Sequence, residues 1–309
     1  TMVTADGTST ASSRLLVPND FFQTPDNPIT SYLKFTFPLQ GGFNGFNIYD
    51  DDKANFRDIA VKREVQDSAQ GRKKGPTFSA YKKALDIIKD KNYDFTTLAL
   101  PGIRNSALAN EAVDTVEDRF DMFYVMDIEQ FDVNGADIRE SGGSVHAVNT
   151  INTFAQRFVN SSFAAAYFPD LILDGTSYPD AIGLPAELVI PPSVAVMGAL
   201  SRNDQVYGKG IRPVGTTRGA LREFVIDTQT KFDPESEVEK CYLNRINPIK
   251  EIPATSGGGD AGVIPVGPIM QSQMTTLNES SANMSRIDVR RLVIEIRRIA
   301  RRIAISVLF

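Results

Sequence analysis

Hydrophobic and polar positions alternate along the chain with two different periods, and the changes of period mark out strands and helices. DFTTLALPG at 94–102 predicts a buried strand that ends in a Pro-Gly turn, and SALANEAVDTVEDR at 106–119 predicts a helix capped by Asn105 or Ser106. FDMFYVMDIE at 120–129 predicts a second buried strand. The short connections indicate a strand–helix–strand unit, whose two strands are parallel.

The same order returns further along the chain. A predicted helix near 146–160 is followed by the predicted strand SFAAAYFPD at 162–170. Pro191 and Pro192 are placed to open another helix, because proline is tolerated in a first helical turn. The sequence therefore predicts a mixed α/β fold, in which a mostly parallel sheet is flanked by helices and accompanied by a smaller β-rich portion.

The chain is predicted to divide into three parts. Residues 1–34 form a polar N-terminal segment, residues 35–245 hold an α/β core domain, and residues 246–309 hold a loop and an arginine-rich helix that belong to a second domain. Within these parts, SYLKFTF at 31–37 alternates like a half-buried strand, and the apolar spacing of 77–91 predicts a helix.

Composition narrows the chemistry that this chain can perform. One cysteine, Cys241, excludes an intramolecular disulfide, and one histidine, His146, excludes metal sites built on several His or Cys residues. We interpret His146 as a surface or helix-capping residue. No apolar run approaches the roughly 18 residues that indicate a membrane span. Phosphate-binding and EF-hand patterns are missing from the sequence, so we expect no cofactor and no metal.

The last helix, predicted at about 284–305, carries the strongest charge asymmetry. The net charge of the chain is −5, but residues 286–302 hold seven arginines and two acids, which is +5 and leaves −10 for the rest. Apolar residues follow the helical period, and the arginines fall largely off that stripe. The arginines fit a solvated helix face, a contact with acidic patches of another protein, or a nucleic-acid site. The candidate contact residues are Arg290, Arg291, Arg297, Arg298, Arg301 and Arg302.

Acidic residues also form clusters. These clusters are Asp50, Asp51 and Asp52; Asp114, Glu117, Asp118 and Asp121; and Asp127 with Glu129. Solvated acidic faces explain most of them. Asp127 is the residue to examine, because it follows a predicted buried strand, and open parallel sheets often bind ligands at the carboxyl ends of their strands.

Several short motifs resemble those of contractile phage tail sheath proteins. PLQGGFNG at 38–45 resembles their Leu-x-Gly-Gly-x-x-Gly turn. Residues 95–127 are similar to their strand, Pro-Gly, helix and strand-Asp order, and residues 191–204 to their Pro-Pro-Ser helix with Arg-x-Asp. Residues 285–303 are similar to the helix that carries their Arg-Arg-Leu sequence. The order of these motifs along most of the chain carries the resemblance, although the tryptophans common in that family are absent.

The resemblance implies a structural subunit that polymerises around a tail tube and contracts to drive the tube through the host envelope. It implies contacts with other sheath subunits in helically stacked hexameric rings, with the tail tube, and with the baseplate and tail terminator. It implies no enzymatic activity, no direct nucleic-acid contact and no membrane insertion, in a virion tail assembled in the bacterial host cytoplasm. In that family a further C-terminal domain follows the Arg-Arg-Leu helix, so we expect this sequence to be a fragment without it.

Two other functions stay open beside this one. An α/β hydrolase that uses the strand-end carboxylates around Asp127 would show a deep pocket with shifted carboxylate pKa values. A glycosidase of this kind needs two carboxylates held at a defined distance. A nucleic-acid-binding protein that uses the arginine helix would show a steep salt dependence of binding.

Overall fold

A computed structural model defines the fold of most of the chain. The residues that it describes are 57–66, 75–90, 93–177, 186–221, 225–232, 235–252, 267–278 and 283–308. The predicted strand at 31–37, the PLQGGFNG turn and the cluster Asp50 to Asp52 lie outside these residues.

Strands and helices alternate through the described residues. The strands are β1 (Thr97–Ala99), β2 (Phe123–Asp127), β3 (Ala164–Phe168), β4 (Leu171–Asp174), β5 (Glu187–Ile190), β6 (Val225–Thr228), β7 (Ile246–Ile252) and β8 (Gly267–Met270). The helices are α1 (Asp58–Val65), α2 (Pro76–Lys89), α3 (Ser106–Arg119), α4 (Ile138–Ser141), α5 (Ala147–Gln156), α6 (Pro192–Val206), α7 (Gly215–Arg218), α8 (Ser236–Leu243) and α9 (Ile287–Leu308).

The larger sheet has five strands in the order β1-β2-β3-β7-β8. The first four are parallel to their neighbours, with Thr97 opposite Phe123 and Ala166 opposite Ile246, and β8 runs antiparallel to β7. Every residue of β2 and β3 is buried. Strands covered on both faces have no solvent side to alternate with, which explains their continuous apolar sequence.

A second, three-stranded sheet has the antiparallel order β5-β4-β6. It follows directly from the first, because β4 begins three residues after the end of β3. Together the two sheets confirm the predicted fold class: a mostly parallel sheet flanked by helices and accompanied by a smaller β portion.

The predicted strand–helix–strand unit is confirmed, and its helix begins and ends at the predicted residues, 106–119. Asn105 caps this helix by accepting a hydrogen bond from Ala107 N at 3.1 Å. Both strands are shorter than predicted. At the second strand the reason is Phe120, which adopts a left-handed backbone with φ 60° and ends the helix where the sequence predicts a strand to begin.

The third predicted part, 246–309, contributes a strand to the larger sheet. β7 begins at Ile246, the first residue of that part, and pairs with β3 through Ile246, Asn247 and Pro248. The Asn247 amide also donates to the carbonyls of Ala166 and Met274 at 3.0 and 2.8 Å. The division of the chain into three parts stays a prediction.

A carboxylate from another helix caps the N-terminus of α2. The helix α2 begins after Gly75 without a side-chain cap of its own, and Glu64 of α1 accepts hydrogen bonds from Thr77 N at 3.0 Å and Phe78 N at 2.8 Å. A Cβ on Gly75 would lie 2.2 Å from the Glu64 side chain, so a larger residue there would displace the carboxylate from these two donors. Such caps satisfy orphan N–H groups and place a negative charge at the positive end of the helix dipole.

A buried charge network at α4 ties α1 to the start of α3. Asp58 accepts from Arg104 N and Asn105 N, both at 2.8 Å, and forms an ion pair with Arg139. Arg139 also contacts Asp137, whose other partner is Lys62 at 2.9 Å. Burial by itself would raise the pKa of Asp137, but the hydrogen bonds and charges of Arg139 and Lys62 outweigh it and lower that pKa to about 2.

We predict that Asp137→Asn lowers the free energy of unfolding by about 2 kcal/mol near neutral pH and that this loss shrinks in acid. Between the ordinary pKa of 3.8 and about 2, the unfolded chain takes up the proton before the folded chain does, so the stabilisation by Asp137 falls as the pH falls. Urea denaturation of wild type and variant at pH 6 and pH 3 measures the difference. Asp86→Asn, at an exposed position of α2, is the control. An equal loss at both pH values would contradict the prediction.

Candidate functional sites: the strand-end carboxylates and the arginine-rich helix

Asp127 ends β2 and is 1% exposed. Its Oδ1 accepts from Ser193 N at 2.9 Å, and its Oδ2 accepts from Ser193 Oγ at 2.7 Å and Gly102 N at 3.0 Å. Pro191 and Pro192 open α6, as predicted, but they have no N–H to donate, so Ser193 N is the first donor of that helix. Asp127 therefore caps α6 from another strand and holds the turn after β1 at the same time.

This arrangement leaves Asp127 without access to a substrate. Burial raises the pKa of Asp127, and Arg104 and the three donors oppose that rise. The hydrolase alternative predicts a shifted carboxylate pKa together with a deep pocket at that carboxylate. The pKa of Asp127 is shifted, but the cavities of the described residues lie elsewhere. A cavity of about 270 Å³ lies between α6 and the smaller sheet, and another of about 330 Å³ lies beside β1; Asp127 lines neither.

Among the described residues, other acidic side chains named from the sequence serve as structural partners or lie in solvent. Glu129 accepts from Ser106 N, the first N–H of α3, at 3.2 Å. Asp118 forms an ion pair with Lys89 at 3.2 Å, and Asp114 is exposed. Within the described part of the chain, no group of three or more His, Cys, Asp or Glu side chains is arranged to hold a metal ion.

His146 takes the capping role that we expected for it. Its Nδ1 accepts from Asn149 N at 3.3 Å, at the first turn of α5. Cys241 is buried, and burial raises the pKa of its thiol to about 12. Neither residue is placed as a nucleophile or as its base.

The arginine-rich helix is present as α9. Several of its arginines contact the body of the protein. Arg290 is 8% exposed and lies over the ring of Phe163, 4.0 Å from the ring centroid. Phe163 meets Phe120 edge to face at 5.7 Å, and Arg297 lies over Phe120 at 5.8 Å. The four side chains form a continuous stack of cations and rings, in which each cation is attracted to a ring face.

Carboxylates from three other segments bind further arginines of α9. Asp204 of α6 binds both terminal nitrogens of Arg291, at 3.1 and 2.5 Å. This two-point geometry is specific to the guanidinium group. Asp94, just before β1, contacts both Arg298 and Arg302, and those two hydrogen bonds lead the causes that lower the pKa of Asp94. Arg301 lies 3.7 Å from Asp121.

The six candidate arginines therefore fall into two groups. Arg290, Arg291 and Arg298 are largely buried against the protein, with side-chain exposures of 11% for Arg291 and 12% for Arg298. Arg297, Arg301 and Arg302 are exposed. The sequence does not reveal this division, because the partners Asp94 and Asp204 are 204 and 87 residues away.

Apolar side chains of α9 point away from the body. They are Leu292, Ile296, Ile299, Ile303 and Val307, with exposed fractions of 43%, 56%, 48%, 57% and 77%. Surface isoleucines occur singly on many proteins, but a row at helical spacing is typical of interaction surfaces. The apolar stripe predicted from the sequence is thus real, and it is the outer face of the helix. No described helix is long and apolar enough to cross a membrane.

Comparison with solved structures identifies the fold. A chain of the PVC sheath complex of an extracellular contractile injection system, in the contracted state, superposes with a TM-score of 0.51. The two chains share a fold. They are 20% identical, and the match covers 74% of this chain and 52% of that chain. The fold implied by the resemblance to sheath proteins is therefore confirmed.

Two further likenesses score lower. The anti-feeding prophage baseplate structure gives a TM-score of 0.44 at 19% identity, with coverage of 72% of this chain and 48% of that one. The contracted helical sheath of the same prophage gives 0.42 at 19% identity, with coverage of 71% and 48%. This chain thus spans about half the length of the structures it matches. No known family pattern and no curated protein sequence matches it.

We predict that Asp127→Asn lowers the free energy of unfolding by about 2–3 kcal/mol, since an amide has one acceptor oxygen for three buried donors. Chemical denaturation measures the loss. Glu111→Gln, which removes an exposed ion pair with Lys82, should cost much less and serves as the control. Equal stability of Asp127→Asn and wild type would show that the three hydrogen bonds of Asp127 contribute nothing to the free energy of unfolding.

Proposed function

We propose that this chain is the α/β part of a contractile sheath subunit, which assembles with copies of itself around a tube and rearranges when the particle contracts. The observation that carries the proposal is the fold shared with a chain of the PVC sheath complex. We propose a structural role without catalysis, in the tail or sheath of a particle that acts outside the cell in which it forms.

The internal chemistry of the chain suits a rigid building block. The strand-end carboxylate, which in an enzyme would face a substrate, instead joins two loops and a helix. The cap of α2 by Glu64 and the contacts of Asp58 with Arg104 N and Asn105 N likewise use charge to connect separate segments of the chain. A subunit that changes its neighbours during contraction must move as a body without unfolding, and long-range polar ties of this kind resist local opening.

The partners that we propose are other sheath subunits first, and the tail tube, the baseplate and the tail terminator second. Contacts between subunits that must slide and re-form suit exposed charges at moderate strength, because such pairs gain and lose little free energy each. Of the six candidate arginines, we propose Arg297, Arg301 and Arg302 as contacts to a neighbouring subunit or the tube. Arg290, Arg291 and Arg298 fit better as residues that hold α9 in place.

The proposal is tested by negative-stain electron microscopy of the gene product that carries residues 1–309, beside the 309-residue chain itself. We expect the gene product to form tubes of stacked rings whose diameter exceeds that of a bare tail tube. Dispersed particles at every concentration and salt condition would contradict a sheath function and leave the shared fold without that role.

We predict that Arg297→Glu reduces tube formation but leaves the thermal unfolding midpoint within about 2 °C of wild type, because this side chain is exposed. Arg291→Glu should lower the midpoint clearly, since it replaces the two-point contact with Asp204 by charge repulsion. Calorimetry and electron microscopy of the same samples separate the two effects. Lys83→Glu, an exposed change of the same sign on α2, is the matched control. Normal tubes from Arg297→Glu would remove Arg297 from the proposed contacts.

A further inference from the structure

The two halves of α9 are attached to the protein by different forces. In the first half, Ile287 and Ile294 are 1% and 2% exposed, and Arg290 is buried beside them. From residue 295 to 307 no side chain is buried. The first half is therefore held by apolar packing and a buried cation, and the second half, 295–307, contributes no buried apolar side chain to the core.

Charged groups provide the attachment of the second half. Glu295 contacts Lys209 at 2.7 Å, and Arg298 and Arg302 share Asp94. Arg301 lies 3.7 Å from Asp121. In addition to these pairs, Arg297 of the second half lies over the ring of Phe120.

The partners differ in exposure: the side chains of Arg298, Asp121 and Glu295 are 12%, 15% and 23% exposed, and each of them pairs with a group that is open to solvent. Asp94 is 58% exposed, Arg302 64% and Arg301 43%, so water and salt reach the contacts directly. Ion pairs of this kind are weak one by one and are screened by salt.

We propose that the second half of α9 is a charge-latched lever, which pivots near Ile294 and is held against the body by Asp94 together with the Lys209–Glu295 and Arg301–Asp121 pairs. Opening the latch bends the continuous helix near Ile294 and breaks the charge contacts and the Arg297–Phe120 contact, but it takes no apolar side chain of residues 295–307 out of the core.

In the proposed sheath subunit this lever would let a neighbouring subunit change the direction of α9 at little cost while the sheets stay intact. That use rests on the proposed function. The latch itself is a property of the single chain and can be tested without any assembly.

The test places spin labels on engineered cysteines at Ala84 in α2 and at Ser306 in α9, both exposed positions. Cys241 is buried and leaves the labelling specific. Double electron–electron resonance then gives the distribution of distances between the labels. At about 0.05 M salt we expect a narrow distribution. At about 1 M salt, where the screening length falls to about 3 Å, we expect its width to grow about twofold.

Variants assign the effect to the latch. Asp94→Asn should broaden the distribution at low salt, and Asp94→Arg combined with Arg298→Asp and Arg302→Asp should narrow it again. Labels at Ala84 and Leu292 report on the first half of α9 and should stay narrow under all conditions. Glu111→Gln removes a comparable exposed pair elsewhere and should change nothing.

Two results would overturn the lever. A distribution at Ser306 that stays narrow in high salt and in Asp94→Asn would show that forces other than charge hold this half. A distribution that is broad under every condition would show that no latch exists. Neither result bears on whether the gene product forms tubes, so failure of the lever and failure of the proposed function remain distinguishable.

Discussion

The carboxylate of Asp127 receives the first N–H of α6, the hydroxyl of the same serine and the N–H of Gly102. These three bonds fix where α6 starts on the larger sheet, against which it packs along β1, β2 and β3. The same helix carries Asp204, which binds Arg291 and so positions α9. One buried carboxylate is thus linked to two helices, to α6 directly and to α9 through Asp204.

Charge in this protein is used mainly to join its own parts. Glu64 caps α2, Asp58 accepts from Arg104 N and Asn105 N just before α3, and Arg139 joins carboxylates of two segments. On α9 the same use of charge draws Arg291 and Arg298 toward the body of the protein, and a row that includes Ile296, Ile299 and Ile303 faces outward. The apolar row of α9 faces outward, and the carboxylate at the end of β2 is closed to any substrate. These two features favour a protein that works by forming interfaces.

Much of the fold could be predicted from the sequence, because fully buried parallel strands leave continuous apolar runs such as those of β2 and β3. The helix at 106–119 was predicted to the residue, since its cap Asn105 is local. Long-range caps could not be predicted, because nothing near Ser193 in the sequence points to Asp127, 66 residues away. The orientation of α9 could not be predicted from the sequence either: periodicity shows two faces but not which one docks, and here the docked face combines Ile294 with the arginines that Asp94 and Asp204 bind.

The helix α9 docks by the face that carries Arg291, Ile294 and Arg298, and it presents the row of Leu292, Ile296, Ile299 and Ile303 to the outside. Thiol modification rates of single cysteines at Ile299 and Ile294 test this claim directly, because the two residues are 48% and 2% exposed and the native Cys241 is buried. We predict that Ile299→Cys reacts nearly as fast as in the denatured chain and that Ile294→Cys reacts at least about tenfold more slowly. Equal rates, or protection of Ile299→Cys alone, would contradict the account.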